Sequence, residues 1–212
     1  MLGIDDEKFI RGKIPMTKRE IRILTLVNAQ IGANDIVVDI GAGTGSISIE
    51  AAKIANKGHV YAVERNSEGI KLIEQNAEKF SVKNITIINA TAPAGLSKIS
   101  QIDVAIIGGS SGLLEEILTT VSQKIKVGGR IVLNCITIQT LAKALGWLKC
   151  HKEYKYDAVQ VQINRLKNLG HYDMAEALNP IYIVTAVKIS EMQAPNVLNF
   201  YAKLERRVSF EF

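Results

Sequence analysis

The sequence predicts an α/β fold, a doubly wound and mostly parallel sheet with helices on both faces. Two observations carry this. The first is the run Ile36 to Ile40, apolar and β-branched except for Asp39, followed by Gly41, Gly43 and Gly45 and then by an amphipathic stretch from Ile47 to Ala55. A buried strand, a tight glycine turn and a helix form the opening unit of a nucleotide-binding domain, where a ligand must reach the backbone and the helix N-terminus. The second is that strand-like and helix-like stretches alternate from there to Cys150. Such units join neighbouring parallel strands and place helices on either side of them.

Residues 1–30 precede the first strand. They carry Lys8, Arg11, Lys13, Lys18, Arg19 and Arg22 against Asp5, Asp6, Glu7 and Glu20. Pro15 breaks this segment, and Thr17 with Glu20 three residues later reads as a capping box for a helix striped by Ile21, Leu24 and Val27. Two readings stand side by side here: a packing helix with a solvated basic face, and a lid that closes over a ligand. The stretch His59 to Val63 is the next strand and ends at Glu64. Ser67 caps a helix through Phe80. Asn84 to Asn89 and Asp103 to Ile107 are strands, the latter running into Gly108-Gly109-Ser110-Ser111-Gly112. A helix from Leu113 to Ile125 leads through the turn Gly128-Gly129 to a strand, Arg130 to Cys135, and Gln139 to Cys150 is a helix with Trp147 in the core.

The character then changes. Ala158 to Asn164 alternates apolar and polar residues, as a half-exposed strand does, and Ile181 to Val187 is a second strand. About 16 residues lie between them, including His171-Tyr172, which suits either a functional loop or a solvated one. The chain divides into a segment 1–30, a domain 31–188 and a tail 189–212 interrupted by Pro195.

With 212 residues, 47% hydrophobic and 22% charged, the chain suits one domain with a full core. The net charge of +5 permits an anionic substrate without calling for nucleic acid. No apolar run has membrane-spanning length and no leader peptide is visible, so a cytoplasmic protein is expected. Cys135 and Cys150 have no metal or redox spacing, and Cys150-His151 reads as incidental at a helix end.

The glycine spacing is G-x-G-x-G, one residue short of the nicotinamide fingerprint G-x-G-x-x-G. Glu64 ends the second strand, where a carboxylate can accept hydrogen bonds from ribose hydroxyls. With these features the chain resembles the class I S-adenosylmethionine-dependent methyltransferases. That resemblance implies a Rossmann-like, seven-stranded sheet with an antiparallel last strand. It implies S-adenosyl-L-methionine as cofactor, with Asp39, Gly41, Ala42, Gly43, Thr44 and Gly45 around the methionine portion, Glu64 on the ribose and the backbone of Ala92 beside the adenine. Thr91 stands where many relatives carry an acidic residue. No Asn-Pro-Pro-Tyr-like motif follows Ile107.

Several stretches together resemble one narrower family, the decarboxylating cobalt-precorrin-6B (C-15) methyltransferases. They are Pro15 to Arg22, Gly41 to Ser46, Ile107 to Ser110, Gly128 to Asn134 and Asn179-Pro180-Ile181. The resemblance implies methylation of carbon 15 of a cobalt-precorrin, loss of the carboxylate from the acetate on carbon 12, and no metal held by the protein. It also implies a homotetramer, a separate or fused partner that methylates carbon 5, and a cofactor contact at Thr17. A flat macrocycle fringed with carboxylates calls for an apolar floor and scattered cations. Lys18, Arg22, Gly109, Ser110, Arg165 and His171 are the candidates, with Arg130 a further cation. Two rivals remain at this point: a tRNA methyltransferase of the same fold, and a cofactor-binding subunit without activity.

Overall fold

A computed structural model describes residues 2–191. Its main sheet has seven strands: β1 (Ile36–Ile40), β2 (His59–Glu64), β3 (Ile85–Asn89), β4 (Ile102–Ile107), β5 (Ile125–Cys135), β6 (Tyr154–Val161) and β9 (Ile181–Lys188). Their order is β3-β2-β1-β4-β5-β9-β6. The strands from β3 to β5 pair in parallel, and β9, the last of the described strands, runs antiparallel to both β5 and β6.

The β-branched runs sit in the middle because both faces of the sheet are covered. Along β1 and β4, successive residues enter opposite cores. Val37, Val104 and Ile106 pack with Leu26 and Ala29 of α1 (Arg19–Ala29) and with Ile47 and Ala51 of α2 (Ser46–Ile54). Val38, Ala105 and Ile107 pack with α4 (Leu114–Lys124) and with Trp147 and Leu148 of α5 (Ile138–Cys150). Between them in the chain lies α3 (Ser67–Lys79), which packs on β2, β3 and α2. Trp147 is core, as its sequence context predicts, and His151 stacks on it with ring centroids 3.6 Å apart.

Local details depart from the sequence expectations. The Thr17–Glu20 capping box does not form: Lys18 is the N-cap of α1 and no side chain caps it, while Glu20 pairs instead with Arg165 at 2.7 Å. In α1 the buried face is Ile21, Arg22, Thr25, Leu26 and Ala29, whereas Leu24 and Val27 point outward. Asn66, not Ser67, caps α3, its Oδ1 accepting from the Glu68 N–H. Strand β5 begins at Ile125, ahead of Gly128-Gly129, and its register against β4 shifts there. The stretch between β6 and β9 is a hairpin, β7 (Asn164–Leu169) and β8 (Tyr172–Ala177), with His171 at its tip. A strand from Ala158 to Asn164 is therefore two pieces.

The segment before α1 is a strap fixed to the domain by side chains. Glu50 of α2 accepts from the Gly3 and Ile4 N–H groups. Asn76 of α3 accepts from the Ile10 N–H and donates to the Ile10 carbonyl, and Glu68 accepts from the Lys13 N–H. Phe9 is buried, its ring 4.9 Å from that of Phe80. The tail expected at 189–212 lies outside the described residues from 192 onward.

Candidate active site

Five strands, β1 to β5, end at one edge, and their loops build the site. The chain leaves β1 at Gly41, whose φ of +73° suits glycine. The Gly41 and Ala42 N–H groups donate to the Val63 carbonyl of β2, and those of Gly108 and Gly109 donate to the Ile40 carbonyl of β1. The turn after β1 and the loop after β4 thus lie against each other. A Cβ at Gly41 would stand 2.8 Å from the Gly109 nitrogen, so no side chain fits there. This is the switch point of the sheet, between β1 and β4, where open α/β sheets bind their ligands.

Glu64 closes the turn. Its Oε2 accepts from the Gly43 N–H at 2.8 Å, and its Oε1 from the Arg65 and Asn66 N–H groups at 2.9 and 2.8 Å. Three of the roughly four acceptor positions of a carboxylate are then used, and the remainder is available to a hydroxyl. Beside it lies a cavity of 240 Å³ lined by Ile14 and Pro15 of the strap, Gly41, Gly43, Glu64, Arg65, Thr91 and Ala92, with Gly109 and Ser110 on the far side. A second cavity, of 280 Å³, shares Gly109, Ser110 and Ser111 with the first and extends to Leu133, Asn134, Ile136, Thr137 and Thr140. One of its lining side chains, Ile136, is an exposed aliphatic group.

The candidates named from the sequence divide into two groups. Gly41, Gly43, Glu64, Ala92, Gly109 and Ser110 line the cavities. The others do not. Asp39 lies under the turn, fully buried, and accepts from the Ser48 hydroxyl of α2. Burial pushes its carboxyl up to about 6, and the nearby Glu64 charge adds to this. Thr44 is buried, with its carbonyl accepting from Asn76. Gly45, φ +76°, is the N-cap of α2, and its N–H donates to the Ala42 carbonyl. These residues shape the turn from below. Thr17 contributes its carbonyl to Arg22, and neither Thr17 nor Lys18 lines a cavity.

Arg22 overturns its assignment to substrate. It is wholly buried, bonded to Asp6 and Glu50 and to the carbonyls of Thr17 and Ile4. Its guanidinium also lies 4.7 Å from the centre of the Phe9 ring. Arg165 is held by Glu20, Arg130 donates to Gln30, and His171 is exposed on the hairpin tip; none of them lines a cavity. Charge count alone could not separate a paired arginine from a free one. The sequence reading missed Arg65, although it directly follows Glu64, and missed Asn134, whose place at the end of a strand was the available signal.

A glycine turn closed by a carboxylate, at the switch point of a seven-stranded sheet with one antiparallel strand, defines a class I methyltransferase. The domain described as the precorrin methyltransferase domain matches residues 8–188, and the chain belongs to that family. A Sulfolobus acidocaldarius protein named "probable cobalt-precorrin-6B C(15)-methyltransferase (decarboxylating)" is 45% identical over 190 residues, covering 88% of this chain and 97% of that protein. Among solved structures, precorrin-6y C5,15-methyltransferase from Geobacter metallireducens is 41% identical with a TM-score of 0.83, over 88% of this chain and 98% of the other. Precorrin 8w decarboxylase from Methanobacterium thermoautotrophicum is 34% identical with a TM-score of 0.81, over 86% and 98%. Family membership decides against the tRNA-modifying rival.

Proposed function

We propose that this chain transfers a methyl group from S-adenosylmethionine to carbon 15 of a cobalt-precorrin, of the 6B or 7 type, and removes the carboxylate from the acetate on carbon 12. The names of the relatives support the substrate. The observation that carries the reading is the pair of adjoining cavities that share Gly109, Ser110 and Ser111. One suits the cofactor and the other the edge of a macrocycle.

The first cavity fits the cofactor. Gly41 and Gly43 leave the backbone open, Glu64 offers a remaining acceptor to the ribose, and Ala92 and Thr91 flank the adenine side. When bound there, the cofactor supplies an electrophilic methyl group on a sulfonium. The work of the protein is positioning and exclusion of water. Ile14 and Pro15 of the strap cover the cofactor side, and Leu133 and Ile136 give the macrocycle an apolar face. Arg65 is the cation of the first cavity. Thr17 and Lys18 act through the strap that they continue.

The proposal includes a cytoplasmic homotetramer. The hairpin supports self-association: Tyr172 is 75% exposed, and its cross-strand partner Leu169 and Met174 are exposed on the same face. Apolar residues clustered on a projecting hairpin mark a contact surface. No helix among the described residues is long and apolar enough to cross a membrane, and none of their His, Cys, Asp or Glu side chains group to hold a metal.

The test is incubation with labelled S-adenosylmethionine and a cobalt-precorrin preparation, read by mass spectrometry. Methyl gain and carbon dioxide loss shift the mass in opposite directions, and both are expected. Cofactor binding with neither shift would overturn the substrate.

A further inference from the structure

We infer that the second cavity is where the carboxylate is lost, and that Asn134 is the positioning residue that orients it there. The inference rests on the function proposed above and adds a place and a residue to its decarboxylating half.

Two independent features point to a carboxylate. The first is Asn134, at the end of β5, which lines the cavity and is 9% exposed. One end of its amide is 3.0 Å from the Thr25 hydroxyl, and its Nδ2 has no partner. Thr25 also lies 2.7 Å from the Ile21 carbonyl and has a single proton. The Thr25 hydroxyl donates that proton in a bond shared between the Ile21 carbonyl and Asn134 Oδ1, so Nδ2 keeps both of its hydrogens for an incoming acceptor. A buried amide end without a partner is costly and is expected to find one when substrate binds. The second feature is the start of α5, a helix of 13 residues. There the Thr137 hydroxyl accepts from the Thr140 N–H, and the two threonine hydroxyls are 2.8 Å apart. One proton suffices for the bond between them, so the other remains free to donate. The positive end of the helix favours an anion at the same place.

Among the described residues the cavity has no charged side chain in its lining; Ile107, Leu114, Leu133 and Ile136 are its walls. An acetate held here receives direction from hydrogen bonds but no neutralising cation. Its charge is therefore less stabilised than in water, while charge moving into the macrocycle escapes the cavity. The bond between the methylene and the carboxyl carbon breaks. Its electron pair passes through the methylene carbon into the conjugated C=N system of the macrocycle, carbon dioxide leaves, and a proton from water returns the pair to the methylene as a methyl group. Asn134 sets the angle of the breaking bond to the plane of the macrocycle.

The experiment uses the full chain with Asn134→Asp, which keeps the shape and adds a repelling charge, and Thr137→Val, an exposed change that spares the core. Each variant is checked for a cooperative melt and for cofactor affinity by calorimetry, then given labelled S-adenosylmethionine and a cobalt-precorrin. Mass spectrometry reads the ratio of decarboxylated to carboxyl-retaining methylated product. Loss of one hydrogen bond to a charged group should lower that ratio by roughly tenfold or more in Asn134→Asp, and less in Thr137→Val. An unchanged ratio overturns the inference, and so does an equal fall in both mass shifts with cofactor affinity intact. Should Asn134→Asp fail to melt cooperatively, the ratio in Thr137→Val decides alone. Wild-type protein that binds cofactor yet shows neither shift overturns the substrate reading and this inference with it.

Discussion

The inner half of the sheet and its far edge are built on opposite terms. Strands β1 and β4 are covered on both faces, and their ends make the glycine turn and the loop that meets it. Strands β6, β7 and β8 are mostly exposed, and the hairpin carries large apolar residues with no core beneath them. Under the proposed function, the difference separates two tasks. Its interior fixes reacting groups with buried charge and backbone contacts, while its edge offers surface for another molecule. Mutation should therefore be expensive in one region and nearly silent for folding in the other.

The largest effect is expected where the strap meets the interior. Arg22→Ala leaves Asp6 and Glu50 buried without their cation, which costs about 3–5 kcal/mol. A thermal melt should move down by roughly 10 °C or more. A midpoint equal to wild type would show that the inner half is as tolerant as the edge, and the comparison would break.

Asp39 gives the next effect. Between the unfolded pKa of 3.8 and the folded value of about 6, the native carboxyl holds a proton that the unfolded chain has released. Native protein binds more protons in that window, so stability falls as pH rises through it, by about 3 kcal/mol in all. Denaturant titrations from pH 4 to pH 6.5 should show this slope, and Asp39→Asn should remove it. A slope that survives in the variant would assign it to another group.

At the site, Glu64→Gln keeps the shape but weakens three backbone hydrogen bonds and the ribose contact proposed for it. Calorimetry should show S-adenosylmethionine affinity reduced roughly 10- to 100-fold, as expected for hydrogen bonds to a charged group. Equal affinity would remove Glu64 from the cofactor site. The smallest folding effect belongs to the edge. Leu169→Ser with Tyr172→Ser should change stability of the isolated subunit within about 0.5 kcal/mol per site, yet abolish self-association in sedimentation. A large loss of subunit stability would mean that the hairpin belongs to the core.

The same contrast explains what the sequence revealed. Double burial demands continuous apolar runs, so β1, β2 and β4 and the glycine turn were legible within a residue or two. Glu64 was legible because it ends a strand beside that turn. The hairpin was missed because a short exposed strand has no buried face to impose alternation: Lys167-Asn168 and Asp173 read as loop. Arg22 was misread because its partners are distant in the chain, Glu50 being 28 residues away. The same holds for Asn134, whose neighbour Thr25 is 109 residues away. Composition reports charge, but only the fold reports which charges are already spent.

The strap has one more consequence. The amide hydrogens of Gly3, Ile4, Ile10 and Lys13 are held by side chains of α2 and α3, outside any helix or strand of their own. Deuterium enters such positions only when the strap lets go of those helices. Their exchange times thus form a local clock for uncovering the cavity that Ile14 and Pro15 line, one that runs separately from the unfolding of the sheet.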